Sequence, residues 1–228
     1  MDFLIHSLAA ALDLIARRDP EVTAAVMTSV SVSAWSILLA SLLAVPAGVV
    51  IGMARFRGRQ GVLVLLNTLM AVPTVVIGLF VYSLISRQGP FGSMGLLFTP
   101  TAMVLGQALL ALPIVANYTL TAVQGADRRI VPTALTLGAS PLRAALQLVR
   151  EIRSGILAAV IAGFGRVLSE VGIAMILGGN IRGLTRTMTT AIAMETGKGE
   201  FAVALALGLV LMAVALAINL VLTRIQQR

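Results

Sequence analysis

Arg166 and Glu170 stand four residues apart inside an otherwise apolar run, Gly155 to Leu177, a spacing that places both on one face of a helix. An unpaired charge at the centre of a bilayer costs about 2.5–3.5 kcal/mol on insertion scales, so both must face protein or water. Two roles are open to them: a structural ion pair that fixes a bundle, or a pathway or gating pair. No other ionisable pair lies within an apolar run, which leaves an intramembrane enzyme without a dyad. His6 stands alone and there is no cysteine, so disulfides, thiol chemistry and cysteine metal sites are excluded. The glycines at 163, 165, 172, 178 and 179 suit tight packing and a loosened helix end. They do not form a phosphate loop of the G-x-x-x-x-G-K-[ST] kind, which the chain lacks, so it cannot cradle ATP by that device.

The elements that carry these residues are set by composition. Of 228 residues 58% are hydrophobic and 11% charged, with mean hydropathy +1.00, which excludes an ordinary soluble domain. The net charge of +8 comes from arginines grouped between apolar runs. Lipid headgroups and the positive-inside rule account for that grouping, and nucleic acid does not. A helix crossing the roughly 30 Å hydrocarbon core needs about 20 apolar residues. That length predicts an all-α membrane bundle of about five spans: Met27 to Met53, Val62 to Ile85, Thr101 to Val123, Gly155 to Leu177 and Phe201 to Leu222. Pro46, Pro73 and Pro113 predict kinks in the first three. Gly48 and Gly52 make a G-x-x-x-G pair suited to close helix contact.

The chain reads as one transmembrane domain over 1–228, with a five-span core at 27–222 and an external or interfacial segment at 1–26. Within the latter, residues 1–16 carry Leu4, Leu8, Leu12 and Ile15 near one helical face; Asp2 stands where a signal peptide would be positive. A sixth span reaching into Arg17 and Arg18 is the alternative. Arginines 55, 57 and 59, then 128, 129, 143, 150 and 153, then 224 and 228 mark cytoplasmic segments. The expected orientation in the bacterial inner membrane is therefore N-terminus outside and C-terminus inside.

Between spans three and four, Ile130 to Arg153 mixes leucines and arginines at intervals that suit two short helices, placed at 131–149 and meeting at Gly138-Ala139-Ser140-Pro141. A cytoplasmic hairpin of this kind is built either to pack against a partner or to lie on the membrane surface.

Ala134-Leu135-Thr136-Leu137-Gly138-Ala139-Ser140 resembles the EAA loop of ABC importer permeases. It departs from that motif in carrying Pro132 and Thr133 where Glu and the first Ala would stand, and Arg150-Glu151 where a later Leu-Pro would stand. Three further blocks look like the tungstate permease subgroup, kin of molybdate permeases: Ala71-Val72-Pro73-Thr74-Val75-Val76-Ile77-Gly78-Leu79, Ser86-Arg87-Gln88-Gly89-Pro90, and Gly163 to Gly172 running into Gly178-Gly179-Asn180-Ile181-Arg182-Gly183. The resemblance implies the type I ABC importer permease fold, acting as a homodimer. It implies two cytoplasmic ATPase subunits that hold ATP and Mg while docked on Ala134, Gly138, Ala139 and Ser140, and an extracytoplasmic binding protein that delivers an oxyanion such as tungstate. The chain itself would be no enzyme and would hold neither cofactor nor metal. Molybdate or sulfate as cargo, and an ion-gradient-driven secondary carrier, are the competing readings; the carrier predicts internal repeats, and none is evident.

Under that resemblance Thr74, Ser169 and Asn180 offer hydroxyl and amide donors along a translocation path, or else satisfy local carbonyls near kinks. The stretch from Thr185 to Glu195 predicts a short helix at the external mouth. Arg182 and Arg186 beside it suit an anion, a salt bridge to the binding protein, or lipid headgroups.

Overall fold

The computed structural model describes Ala9, Asp13, Ala16, Arg17 and residues 19–54 and 56–226. The expected interfacial helix over residues 1–16 falls largely outside the described residues, as do His6, Arg18, Arg55 and Arg228. The first long helix, α1, runs Pro20–Met53 and begins earlier than the expected Met27, because Asp19 accepts from Glu21 N and Val22 N at 2.8 and 3.1 Å with Pro20 in the first helical position. The same device, a capping side chain followed by proline, opens two more helices: Thr99 with Pro100 at α4 (Pro100–Gly125) and Ser140 with Pro141 at α6 (Pro141–Glu151).

Between α1 and α4 lie α2 (Arg59–Ala71) and α3 (Thr74–Ile85), which meet at Pro73 with a bend of 96°. After α4 come α5 (Ile130–Thr136) and α6, then α7 (Arg153–Leu168) and α8 (Gly172–Gly178), bent by 61°. The helices α9 (Met188–Lys198) and α10 (Phe201–Gln226) end the described chain. Among the described residues three helices are long and apolar enough to cross a membrane, or up to five spans if each bent pair counts as one. The chain is therefore an all-α polytopic membrane protein.

One expectation is corrected: the fourth span is not one straight helix from Gly155 to Leu177 but α7 and α8 joined at an angle of 61°. Of the three prolines, Pro73 stands at the break between α2 and α3, while Pro46 lies inside α1 and Pro113 inside α4.

The centre of the bundle is α4, packed along α1 and against α7. Small residues set this contact. A Cβ on Gly48 would lie 2.6 Å from the Ala116 carbonyl oxygen and one on Gly52 2.7 Å from Val123 Cβ, so the G-x-x-x-G pair is where α1 and α4 come closest. Because the obstacle at Gly48 is backbone, no rotamer relieves it. Gly48→Ala is expected to cost about 1–3 kcal/mol through overpacking and to lower the melting temperature of the purified protein. Gly61→Ala, at an open site on α2, is expected to raise it by relieving about 0.5–1 kcal/mol of helix entropy cost. Equal melting temperatures for the two variants would show that the α1–α4 contact is loose.

The helices α5 and α6 form a hairpin at one end of the bundle. Leu148 and Ile152 join Val49 of α1 and Val123 of α4 in a small core that seats it. Arg59 Nε donates to the Ile51 carbonyl at 3.2 Å and closes the end of α1 beside it.

Candidate functional site

The hairpin turn is built by backbone geometry. Gly138 N donates to Leu135 O at 3.0 Å and Ala139 N to Ala134 O at 3.0 Å, while Gly138 takes φ +86°. These are the paired bonds of a Schellman motif, with glycine at the left-handed position. Ser140 Oγ then accepts from Arg143 N at 3.4 Å and starts α6. The four expected loop residues thus make one turn, and α6 is amphipathic: Ala144 and Leu148 are buried toward the bundle. The outer side carries Leu137, 82% exposed, and Leu142, 71% exposed, with Leu135 and Leu146 near them. Arg143 and Arg150 flank this patch, also exposed.

A second cluster forms where the two bent spans meet, since α3 packs against α8. Glu170 lies in the break after α7. Helix α7 ends at Leu168, so the pair spans a helix end and not a continuous helix face. Its carboxylate is nonetheless met by Arg166 Nη1 at 2.9 Å on Oε2 and by Ile173 N at 3.2 Å on Oε1, the latter capping the first turn of α8. The Glu170 carbonyl accepts from Thr189 Oγ1 of α9 at 2.8 Å. One residue therefore ties α7, α8 and α9 together, with 2% of its side chain exposed. Thr74 reaches this junction: a Cβ on Gly172 would stand 3.1 Å from Thr74 Oγ1 and 3.3 Å from Glu170 Oε1. Ser169 is exposed beside the junction, and its hydroxyl donates to Arg166 O at 3.1 Å. Asn180 is not brought to it. It lies past the far end of α8 at φ +52°, with Nδ2 3.3 Å from Met194 Sδ.

At that far end Arg182 Nη2 pairs with Glu21 Oε2 at 2.8 Å, and Arg186 Nη1 with Glu21 Oε1. Both expected anion-facing arginines are thus engaged within the chain. The threonine-rich stretch forms a short helix that starts three residues later than expected, with its threonines turned inward. Thr185, Thr187, Thr189 and Thr190 are all buried, and the helix begins only at Met188, whose N–H donates to Ser29 Oγ at 2.8 Å. Thr185 Oγ1 bridges the turn by accepting from Ile181 N at 3.0 Å and donating to the Gly178 carbonyl at 2.5 Å.

Sequence reasoning missed Glu21, Thr189 and Asn219. Asn219 is the one polar side chain between Phe201 and Val221, which was a readable signal. It shares with Arg166 a cleft between α7 and α10. Among the described residues no group of three or more His, Cys, Asp or Glu side chains could hold a metal ion.

Residues 44–228 match the family described as binding-protein-dependent transport system inner membrane component. The chain is 38% identical over 227 residues to the tungstate uptake system permease protein TupB of Peptoclostridium acidaminophilum, covering 100% of each. It is 38% identical over 202 residues to the corresponding Campylobacter jejuni protein, covering 89% of this chain and 84% of that one. In fold it resembles a chain of a bacterial ABC transporter that imports the acidic polysaccharide alginate, with TM-score 0.75 at 17% identity, covering 96% of this chain and 83% of that one.

Proposed function

Since the chain belongs to the family of binding-protein-dependent transport inner membrane components, we propose that it is the conducting subunit of an ATP-driven importer whose cargo is tungstate. It is a permease subunit and not itself an ATPase. In this reading it works as a homodimer, with two ATPase subunits seated on the hairpin and a binding protein at the opposite, extracytoplasmic end. The hairpin then faces the cytoplasm, with the N-terminus outside and the C-terminus inside. The observation that carries the ATPase seat is the outer side of α5 and α6, where Leu137 and Leu142 stand exposed on a hairpin anchored by Leu148 and Ile152. Leucines held out on an ordered, basic-flanked hairpin fit a protein partner. The cargo rests on the full-length similarity to a tungstate permease.

Thr74 and Ser169 lie near the junction of the bent spans and serve, in this reading, as path residues; Asn180 belongs to the outer turn. Tight capture of a tetrahedral dianion needs several converging donors, and these residues do not converge. Selectivity is therefore expected in the binding protein. The test is a reconstituted permease–ATPase complex titrated with labelled tungstate, without and then with the binding protein. ATP-dependent uptake is expected only with the binding protein, and submicromolar tungstate binding by the complex alone would place selectivity in the wrong subunit. Failure to take up tungstate or molybdate under any condition would overturn the cargo.

A further inference from the structure

Arg166 is engaged at one corner only. Its Nη1 meets Glu170 Oε2 at 2.9 Å, yet 42% of its side chain is exposed against 2% for Glu170. A guanidinium carries five N–H donors, so most of those on Arg166 point away from the ion pair. Arg166 also lines a mostly apolar cleft of about 340 Å³ between α7 and α10, walled by Gly165, Leu168, Ala215 and Asn219. Asn219 brings an amide into the most apolar span, where mean hydropathy is 2.8. A charge and an amide opening onto the same membrane-depth cleft are costly against hydrocarbon and are favoured against water or a polar ligand. The acidic partner does not face the cleft, because both Glu170 oxygens are occupied by Arg166 and by Ile173 N. Arg166 is therefore the one charged residue in an otherwise mostly apolar lining.

We propose that Arg166 and Asn219 form an anion-contact station inside the membrane, with Glu170 as the positioning residue that holds the guanidinium toward the cleft. This rests on the reading of the cargo as an oxyanion. A planar guanidinium offers two parallel N–H donors to two oxygens of a tetrahedral anion, and the Asn219 amide offers a third contact from the opposite wall. One fork and one amide bind weakly, as a station in transit must. At ~30 Å³ per water, the cleft holds roughly ten waters, so the anion enters at least partly hydrated.

The chain has no cysteine, so a single introduced thiol reports its own surroundings. Ala215→Cys places one on the cleft wall outside the proposed contact. In proteoliposomes holding the complete importer, a charged, membrane-impermeant thiosulfonate is expected to modify it; an inert thiol there means a wall covered by lipid or protein and overturns the station. Two variants then read the anion contact. Arg166→Lys keeps the charge and loses the fork, and tungstate uptake per ATP hydrolysed is expected to fall about fivefold. The double change Arg166→Met with Glu170→Leu leaves no unpaired charge. It is expected to assemble and to hydrolyse ATP when loaded binding protein is added, with uptake down by about tenfold or more. Parental uptake per ATP hydrolysed in the double variant overturns the proposal; should that variant fail to assemble, parental uptake by Arg166→Lys does so. A parent complex that takes up no oxyanion overturns the cargo reading instead, and the thiol result still reports whether the cleft is wet.

Discussion

Gly138→Val is expected to lower ATP-driven uptake by about tenfold or more, while the permease still inserts in the membrane. A Cβ at Gly138 would meet nothing within 4 Å, so steric room is not the issue. The backbone is. At φ +86° a β-branched residue is strained by about 1–3 kcal/mol, and the turn can escape the strain only by giving up the paired bonds to Leu135 and Ala134. Giving them up takes Leu137 and Leu142 out of their relative positions on the outer side of the hairpin. The open space supplies its own control, because asparagine tolerates the left-handed region. Gly138→Asn is expected to keep at least about half of parental uptake. Both variants are compared by ATP-dependent uptake per assembled complex. Full uptake by Gly138→Val would remove the hairpin from energy coupling, and equal loss in both would show that the side chain, not φ, disturbs the docked partner.

The five apolar windows and the hairpin were legible because each is a local property: hydropathy sustained over a span, and glycine and proline at a turn. The start of α1 was missed by seven residues, since hydropathy placed it at Met27, although Asp19-Pro20 marks it as Thr99-Pro100 and Ser140-Pro141 mark α4 and α6 when the capping residue is read together with its proline. The break between α7 and α8 was not legible. No proline marks it, and what holds it comes from elsewhere in the chain: the Thr189 hydroxyl on the Glu170 carbonyl and Thr74 packed against Gly172. The pairing of Arg166 with Glu170 could be read from spacing, although the reason assumed for it, a continuous helix face, was wrong. The partners of Arg182 and Arg186 could not be read, since Glu21 lies far back in the chain, at the start of α1. Local chemistry reads from a sequence, whereas contacts between distant segments depend on how the bent spans fold back.

Glu170→Gln is expected to reduce the amount of assembled permease several-fold, the second-largest effect foreseen. The glutamine can still accept from Ile173 N through its carbonyl oxygen, so the cap on α8 survives. Its other terminal atom, however, becomes an amide donor facing the donor on Arg166, and the ion pair is lost. Removing one partner of a fully buried pair costs about 3–5 kcal/mol. Arg166 is 42% exposed and can regain some hydration, which puts this variant at or below the lower end of that range. The double change Arg166→Met with Glu170→Leu removes both charges and is expected to recover most of the assembled protein. Recovery should remain incomplete, because leucine cannot cap Ile173 N. The measurement is the yield and melting temperature of the detergent-extracted permease for the parent, Glu170→Gln and the double variant. A Glu170→Gln protein that assembles and melts like the parent would show that the charge pair with Arg166 is not what joins α7 to α8, and the bend would then be held by the cap on Ile173 N and by Thr189 on the Glu170 carbonyl.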